Sequence, residues 1–264
     1  MTTALDKIID YKRDEVTALK KATRFEDLHQ AALAAPAPRG FAQALESIVA
    51  EGDNGLICEL KRKSPSAGDI LPGADPVEIA RQYEAGGAAC LSVLTDGPSF
   101  GGQLSDISAI KAQVSLPVLR KDFMIDPIQI VEARAHNADA ILIIMAALDD
   151  GLAGELAQTA IDYDLDILVE VHNEAELERA LPLPAHLFGI NNRDLTRMVT
   201  DLSVTERLKN LVPDDRALVS ESGIKTPEDI SRLRKASAQR FLIGESLMKQ
   251  DNREAAVRAL RHAR

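Results

Sequence analysis

The chain has no tryptophan, only two cysteines and fewer basic than acidic residues, and each shortage excludes something. Without tryptophan the protein's own fluorescence is nearly dark. Cys58 and Cys90 are too few for a disulfide framework, and no Cys or His cluster has metal-ligand spacing, so both are read as buried thiols and no metal is expected. No apolar run reaches the roughly eighteen residues that a bilayer-spanning helix needs, so no membrane partner is expected. The start, Met1 to Lys7, lacks a basic stretch followed by an apolar core; no secretory signal is read there and a cytoplasmic location is expected. Against 41 Asp and Glu stand 31 Lys and Arg, a formal net charge of -10. Polyanions are repelled at long range by such a surface, which argues against nucleic acid, whereas a small anion held by local cations in a cleft remains compatible.

What is present is enough apolar material for a large core, at 45% of 264 residues. Leu5, Ile8, Ile9, Lys12, Val16 and Leu19 fall at helical spacing, Lys12 through its aliphatic stem, and Thr3 with Asp6 resembles a helix start. A second helix is expected over 25–33, a linker over 34–40 and a third helix over 41–50. These residues bury too little to fold alone, so 1–52 is read as an N-terminal extension of a single domain covering 1–264.

From Leu56 onward short apolar runs alternate with helical stretches, the pattern of βα units. Eight runs are read, at 56–61, 90–95, 117–121, 140–145, 167–171, 187–191, 217–221 and 241–244. Helices are expected at 76–85, 103–113, 127–135, 149–161, 174–181, 205–211, 227–235 and 253–261. Asp75-Pro76, Asp126-Pro127 and Thr226-Pro227 each set a capping residue before a proline at the first helical position. Eight such units make a closed (β/α)8 TIM barrel with an N-terminal helical extension. An open doubly wound sheet competes, although no Gly-x-Gly-x-x-Gly follows a strand.

Polar residues gather where the apolar runs end, which is where barrel enzymes build their sites. The first run ends in Glu59, Lys61 and Ser64, and alternation puts Glu59 and Lys61 on the face of Ile57 with Cys58 opposite. Lys121 and Asp122 end the third run, Glu170 and His172 the fifth, Asn191 and Arg193 the sixth. Glu221 with Ser222-Gly223, and Gly244-Glu245, end the last two. Two lysines and three glutamates are therefore expected around one cavity, suited to a polar ligand. The glycine pairs after the seventh and eighth strands suit phosphate binding through backbone N–H groups, though a plain tight turn explains either alone.

With those residues in view the chain resembles the indole-3-glycerol phosphate synthase family. The resemblance rests on ELKRKSPS (59–66), LSVLTD (91–96), PVLRKDF (117–123), LVEVHNE (168–174), GINNRDL (189–195), VSESGI (219–224) and FLIGESLM (241–248). It implies conversion of 1-(2-carboxyphenylamino)-1-deoxyribulose 5-phosphate to indole-3-glycerol phosphate, with loss of carbon dioxide and water and without a cofactor; the expected partner is this small phosphorylated substrate, and a monomer is expected. By resemblance Lys121 is the general acid, Lys61 binds substrate and shares in proton transfer, and Glu170 helps expel water. Glu59, Asn191 and Glu221 orient the lysines and sugar hydroxyls, while Phe123 and Arg193 contact the substrate. Phosphate falls to Ser64, Ser222, Gly223, Gly244 and the backbone of Glu245, where the family often has serine; the Glu245 side chain is expected to point to solvent. A barrel using Cys58 as base, as in phosphoribosylanthranilate isomerase, competes, but Cys58 points away from Glu59 and Lys61. A non-catalytic barrel that binds a phosphorylated metabolite is the alternative from another class.

Overall fold

A computed structural model describes residues 3–194 and 199–264. Leu195, the last residue of the GINNRDL motif, and Met1 and Thr2 at the chain start lie outside the described residues. Eight parallel strands close into a barrel in chain order. They are β1 (Gly55–Leu60), β2 (Cys90–Leu94), β3 (Val118–Lys121), β4 (Ala140–Ile144), β5 (Asp166–Val171), β6 (Leu187–Asn191), β7 (Ala217–Glu221) and β8 (Arg240–Ile243). β8 returns to β1 with Phe241 beside Leu56, which closes the ring.

One rule of geometry places the site. Side chains alternate along a strand, so residues two apart share a face. Ile57, Leu119, Leu142, Leu168, Val219 and Leu242 fill the barrel interior. Two positions further along, toward the C-terminal ends, stand Glu59, Lys121, Ile144, Glu170, Glu221 and Gly244. The dry plug thus gives way in one step to a charged layer. On the opposite faces Cys58, Leu60, Leu91, Val93, Ile141 and Val169 pack outward against the helices.

The helices start where their caps dictate. Asp75, Asp126 and Thr226 accept backbone N–H groups at the starts of α4 (Pro76–Gly86), α7 (Pro127–Ala135) and α11 (Pro227–Lys235). The remaining outer helices are α6 (Ser105–Lys111), α8 (Asp150–Asp162), α9 (Glu174–Ala180), α10 (Ser203–Leu208) and α13 (Arg253–Arg261). Two short helices differ from the sequence reading. α5 (Gly97–Phe100) begins at Asp96, whose carboxylate accepts the Ser99 N–H, and ends at Gly101 with φ +65°. It occupies what reads as loop, and α6 accordingly starts at Ser105 rather than residue 103. α12 (Glu245–Met248) follows β8 directly.

The extension touches both ends of the barrel. α1 (Ala4–Ala22) starts with a Thr3–Asp6 capping box, and its Ala4, Leu5 and Ile8 line the cavity at the C-terminal ends of the strands. α2 (Phe25–Ala34) shares a small apolar cluster with α7, Leu28 and Ala32 meeting Ile128 and Val131. α3 (Phe41–Ala50) drives Phe41 and Leu45, both fully buried, into the interior cluster together with Cys90, Ala140 and Leu187 at the strand starts. Burying each contributes about 1.5–3 kcal/mol over leaving it in water. Lys12 corrects the sequence reading. It sits on the buried face of α1, but the buried part includes the ammonium, which lies 2.8 Å from Asp122 and 3.1 Å from Asp96.

Candidate active site

A cavity of about 500 Å³ opens at the C-terminal ends of the strands. Lys61, Lys121, Glu59, Glu170 and Glu221 all line it, as do Asn191, Arg193, Phe123, Ser222, Gly223, Gly244 and Glu245. Ser64 does not: it is buried, and its hydroxyl accepts the Ala67 N–H at 3.1 Å within its own loop. A two-residue ladder, Lys63–Ser64 against Gly68–Asp69, folds that loop back on itself and turns the hydroxyl inward.

The charges form two linked pairs. Lys61 Nζ donates to Glu59 Oε1 at 2.6 Å. Lys121 Nζ donates to Glu170 Oε2 at 2.8 Å and lies 3.7 Å from Glu221 Oε2. Asn191 Nδ2 donates to Glu170 Oε1 at 3.1 Å, and Asn191 Oδ1 accepts the Arg193 N–H at 3.0 Å. Arg193 in turn reaches Ser66 Oγ at 2.7 Å, joining the loops after β6 and β1 across the cavity. Two glycines make room for the carboxylates. A Cβ on Gly244 would collide with Glu59 Oε1, and one on Gly189 with Glu221 Oε1, so both acids lie against bare backbone where any side chain would displace them.

Burial and proximity set the protons. Burial disfavours the Lys121 ammonium, but Glu170, Glu221 and Glu59 outweigh it and hold the pKa above the ordinary lysine value. The sequence leaves open which effect wins; three carboxylates around one nitrogen decide it. Burial pushes the Glu170 carboxyl up, yet Lys121 and His172 carry it well below the usual range. Glu221 goes the other way. Burial and the Glu170 charge raise it to about 8, and Lys121 offsets them only in part. At neutral pH the site therefore holds an ammonium, a carboxylate and a carboxylic acid within reach of one another, the arrangement from which acid and base roles separate. Among the described residues Glu221 Oε1 is buried against Gly189 without a hydrogen-bond partner, a setting that favours the neutral acid.

Several lining groups lie beyond the sequence reading. Phe100 of α5 stands 6.1 Å from Phe123, ring centre to ring centre, and the two make an aromatic wall. Lys225 and Lys249 add cations near the loops after β7 and β8. Ser222 and Gly223 have φ of 65° and 84°, consecutive left-handed residues that turn the backbone sharply at the end of β7. The Glu245 carboxylate is about one-third exposed and turns onto Lys249 at 2.6 Å. His172 lies 3.3 Å from Glu170 Oε1 through Nε2 and 2.9 Å from Glu176 Oε2 through Nδ1. Burial alone would lower its pKa, but the two carboxylates raise it to about 10, so the imidazolium persists at neutral pH. The pairing with Glu176 comes from the start of α9, one turn after a strand end, which no strand periodicity reveals. Among the described residues no group of His, Cys, Asp and Glu side chains is arranged to hold a metal ion.

Fold and cavity together define a (β/α)8 barrel carrying an acid–base cluster at the C-terminal ends of its strands. The family model described as indole-3-glycerol phosphate synthase matches residues 5–260, and the chain belongs to that family. An indole-3-glycerol phosphate synthase of Hyphomonas neptunium is 66% identical over 97% of this chain and 96% of its own length. One of Rhodospirillum rubrum is 53% identical over 98% of this chain and 99% of its own. Among solved structures a 3-hexulose-6-phosphate synthase superposes with a TM-score of 0.60 at 17% identity, over 79% of this chain and 99% of that one. A thiamine phosphate pyrophosphorylase from Pyrococcus furiosus gives a TM-score of 0.59 at 17% identity, over 78% and 93%. These two likenesses are of fold.

Proposed function

We propose that the chain closes the indole ring of 1-(2-carboxyphenylamino)-1-deoxyribulose 5-phosphate, releasing carbon dioxide and water to give indole-3-glycerol phosphate. On this reading it is a carboxy-lyase of tryptophan biosynthesis, acting in the cytoplasm without a cofactor. Family membership supports the activity. Packing of α1 and α3 on opposite ends of the barrel supports treating 1–264 as one domain with 1–52 as its extension. The observation that carries the chemistry is the Lys121 ammonium, paired with Glu170 and Glu221 in the cavity wall beside Phe123.

The anthranilate ring rests on the Phe100–Phe123 wall with its carboxylate-bearing carbon facing the ribulose carbonyl. That ring carbon attacks the carbonyl carbon, and Lys121 gives the carbonyl oxygen its proton as the bond forms. Loss of carbon dioxide returns an electron pair to the ring. Dehydration then removes the new hydroxyl and one proton as water, with Glu170 the carboxylate placed to assist. Lys61, anchored by Glu59, binds the substrate and shares in proton transfer, while Glu59, Asn191 and the protonated Glu221 orient the lysines and the sugar hydroxyls. Phosphate takes the backbone N–H groups after β7 and β8, with Arg193 alongside.

The test is direct because the chain has no tryptophan. Purified protein mixed with the carboxyphenylamino-deoxyribulose phosphate, without metal or cofactor, is expected to develop indole fluorescence over a nearly dark protein background. A folded protein that gives a flat trace contradicts the reading.

A further inference from the structure

We propose that Lys12 is a positioning residue for this site: its buried ammonium ties the end of β2 to the end of β3 and so holds Lys121, Phe100 and Phe123 in register around the cavity. The inference rests on the synthase reading for its catalytic readout and on geometry for the rest. Lys12 is 2% exposed, and the carboxylates it meets, Asp96 and Asp122, are 0% and 3% exposed. Asp96 follows β2 and caps α5, the helix that carries Phe100. Asp122 stands between Lys121 and Phe123. One cation on the extension therefore joins the two segments that supply the aromatic wall and the candidate acid.

The bonding leaves little slack. Asp122 Oδ1 accepts Lys12 at 2.8 Å and the Phe123 N–H at 2.8 Å. Its Oδ2 accepts the Thr95 hydroxyl at 2.5 Å and Arg120 at 3.3 Å. Asp96 Oδ1 accepts the Ser99 N–H at 2.8 Å, and its Oδ2 takes Lys12 at 3.1 Å and the Tyr11 hydroxyl at 2.7 Å. Tyr11 also bonds Ser99 Oγ at 2.9 Å. Two buried carboxylates thus face two cations, Lys12 and Arg120, and Arg120 is shared with Glu132 at 2.8 Å. Glu15 adds a third, part-exposed carboxylate 2.7 Å from the Lys12 nitrogen. Without Lys12 the pair Asp96 and Asp122 is left short of a counter-charge in a water-poor setting and must move or hydrate. Displacement of a reacting group by about 1 Å can cost about 100-fold in rate, so a shift of this segment reads out at Lys121.

A second buried pair supplies the control. Lys111 and Asp139 are 2.5 Å apart and as deeply buried, but at the strand starts, where Asp139 accepts the Val118 N–H. Lys12→Met and Lys111→Met each remove one buried ammonium, at opposite ends of the same barrel. The experiment compares kcat, KM and amide hydrogen exchange of the two variants with wild type, all as full chains. Lys12→Met is expected to lower kcat by about 10- to 100-fold with KM changed less than about threefold, and to speed exchange over 95–101 and 121–125. Lys111→Met is expected to leave kcat per folded molecule and those two segments as in wild type. If Lys12→Met does not fold, Tyr11→Phe, which removes only the hydroxyl bonds to Asp96 and Ser99, is read in its place and is expected to show the same pattern weakly. A Lys12 variant with wild-type kcat and unchanged exchange overturns the proposal, as does a Lys111 variant that loses kcat equally. If wild type itself turns over no substrate, the synthase reading fails while the exchange comparison still decides whether Lys12 holds the two segments.

Discussion

Glu221 is the group whose proton the structure makes most consequential. Its carboxyl is raised from an ordinary 4.5 to about 8, by burial first and the Glu170 charge second. Between those two values the unfolded chain gives up this proton while the folded chain keeps it, so the group lowers stability as pH rises from about 4.5 and the loss levels off above about 8. At pH 7 the gap of about 2.5 pH units corresponds to about 3 kcal/mol at about 1.4 kcal/mol per unit. Glu221→Gln keeps the shape of the protonated acid and abolishes its titration. The difference in unfolding free energy, variant minus wild type, is therefore expected to be flat below about pH 4.5, to rise through neutrality and to plateau above about pH 8. At pH 7 the pH-dependent part is expected at about 6–12 °C in Tm for a chain of this size. Thermal or urea unfolding of both proteins across this range reads it. Parallel curves for the two proteins, or a variant that loses ground as pH rises, refute the assignment of a neutral acid at residue 221.

Two further outcomes follow from neighbouring groups. His172 has its pKa raised by Glu170 and Glu176 to about 10, so its stabilising charge is fully present below about 6.5 and is lost as pH rises through about 10. His172→Gln should cost about 3–5 kcal/mol at pH 6 by urea unfolding, with the deficit shrinking toward pH 10; a pH-independent deficit counts against the ion pair. Glu245, neutralised locally by Lys249, should tolerate change to serine with KM held within about twofold at low and high salt, because part-exposed pairs of this spacing are worth about 0.3–0.5 kcal/mol. A large tightening that fades as salt is added would mean the carboxylate opposes the phosphate.

Most of the barrel was legible because its signal is local. β6 and β7 run over 187–191 and 217–221 as their apolar composition requires, and the inward apolar residues lead by twos into the polar positions at the strand ends. Proline-preceding caps located α4, α7 and α11 to the residue at their starts. What escaped depends on distance in sequence or on loop chemistry. The face of Lys12 is readable from helical spacing, but its partners Asp96 and Asp122 are brought to it only by the closed barrel. α5 hides in a stretch holding Gly97, Pro98, Gly101 and Gly102, which reads as loop until Asp96 caps it. Ser64 belongs to a motif whose loop folds inward, so its place off the cavity wall follows from the short ladder and not from alternation. The direction of the Lys121 shift is a sum over three carboxylates on three strands, legible only once they are close.

The role proposed for Lys121 is proton donation to the substrate carbonyl during ring closure. The measurement that bears on it most directly is the rate of indole fluorescence from saturating substrate with wild type and with Lys121→Ala. Wild type should turn over without added metal or cofactor, and the variant should fall about 10²- to 10⁴-fold in kcat with a smaller change in KM. A variant that turns over near the wild-type rate would remove Lys121 from the mechanism.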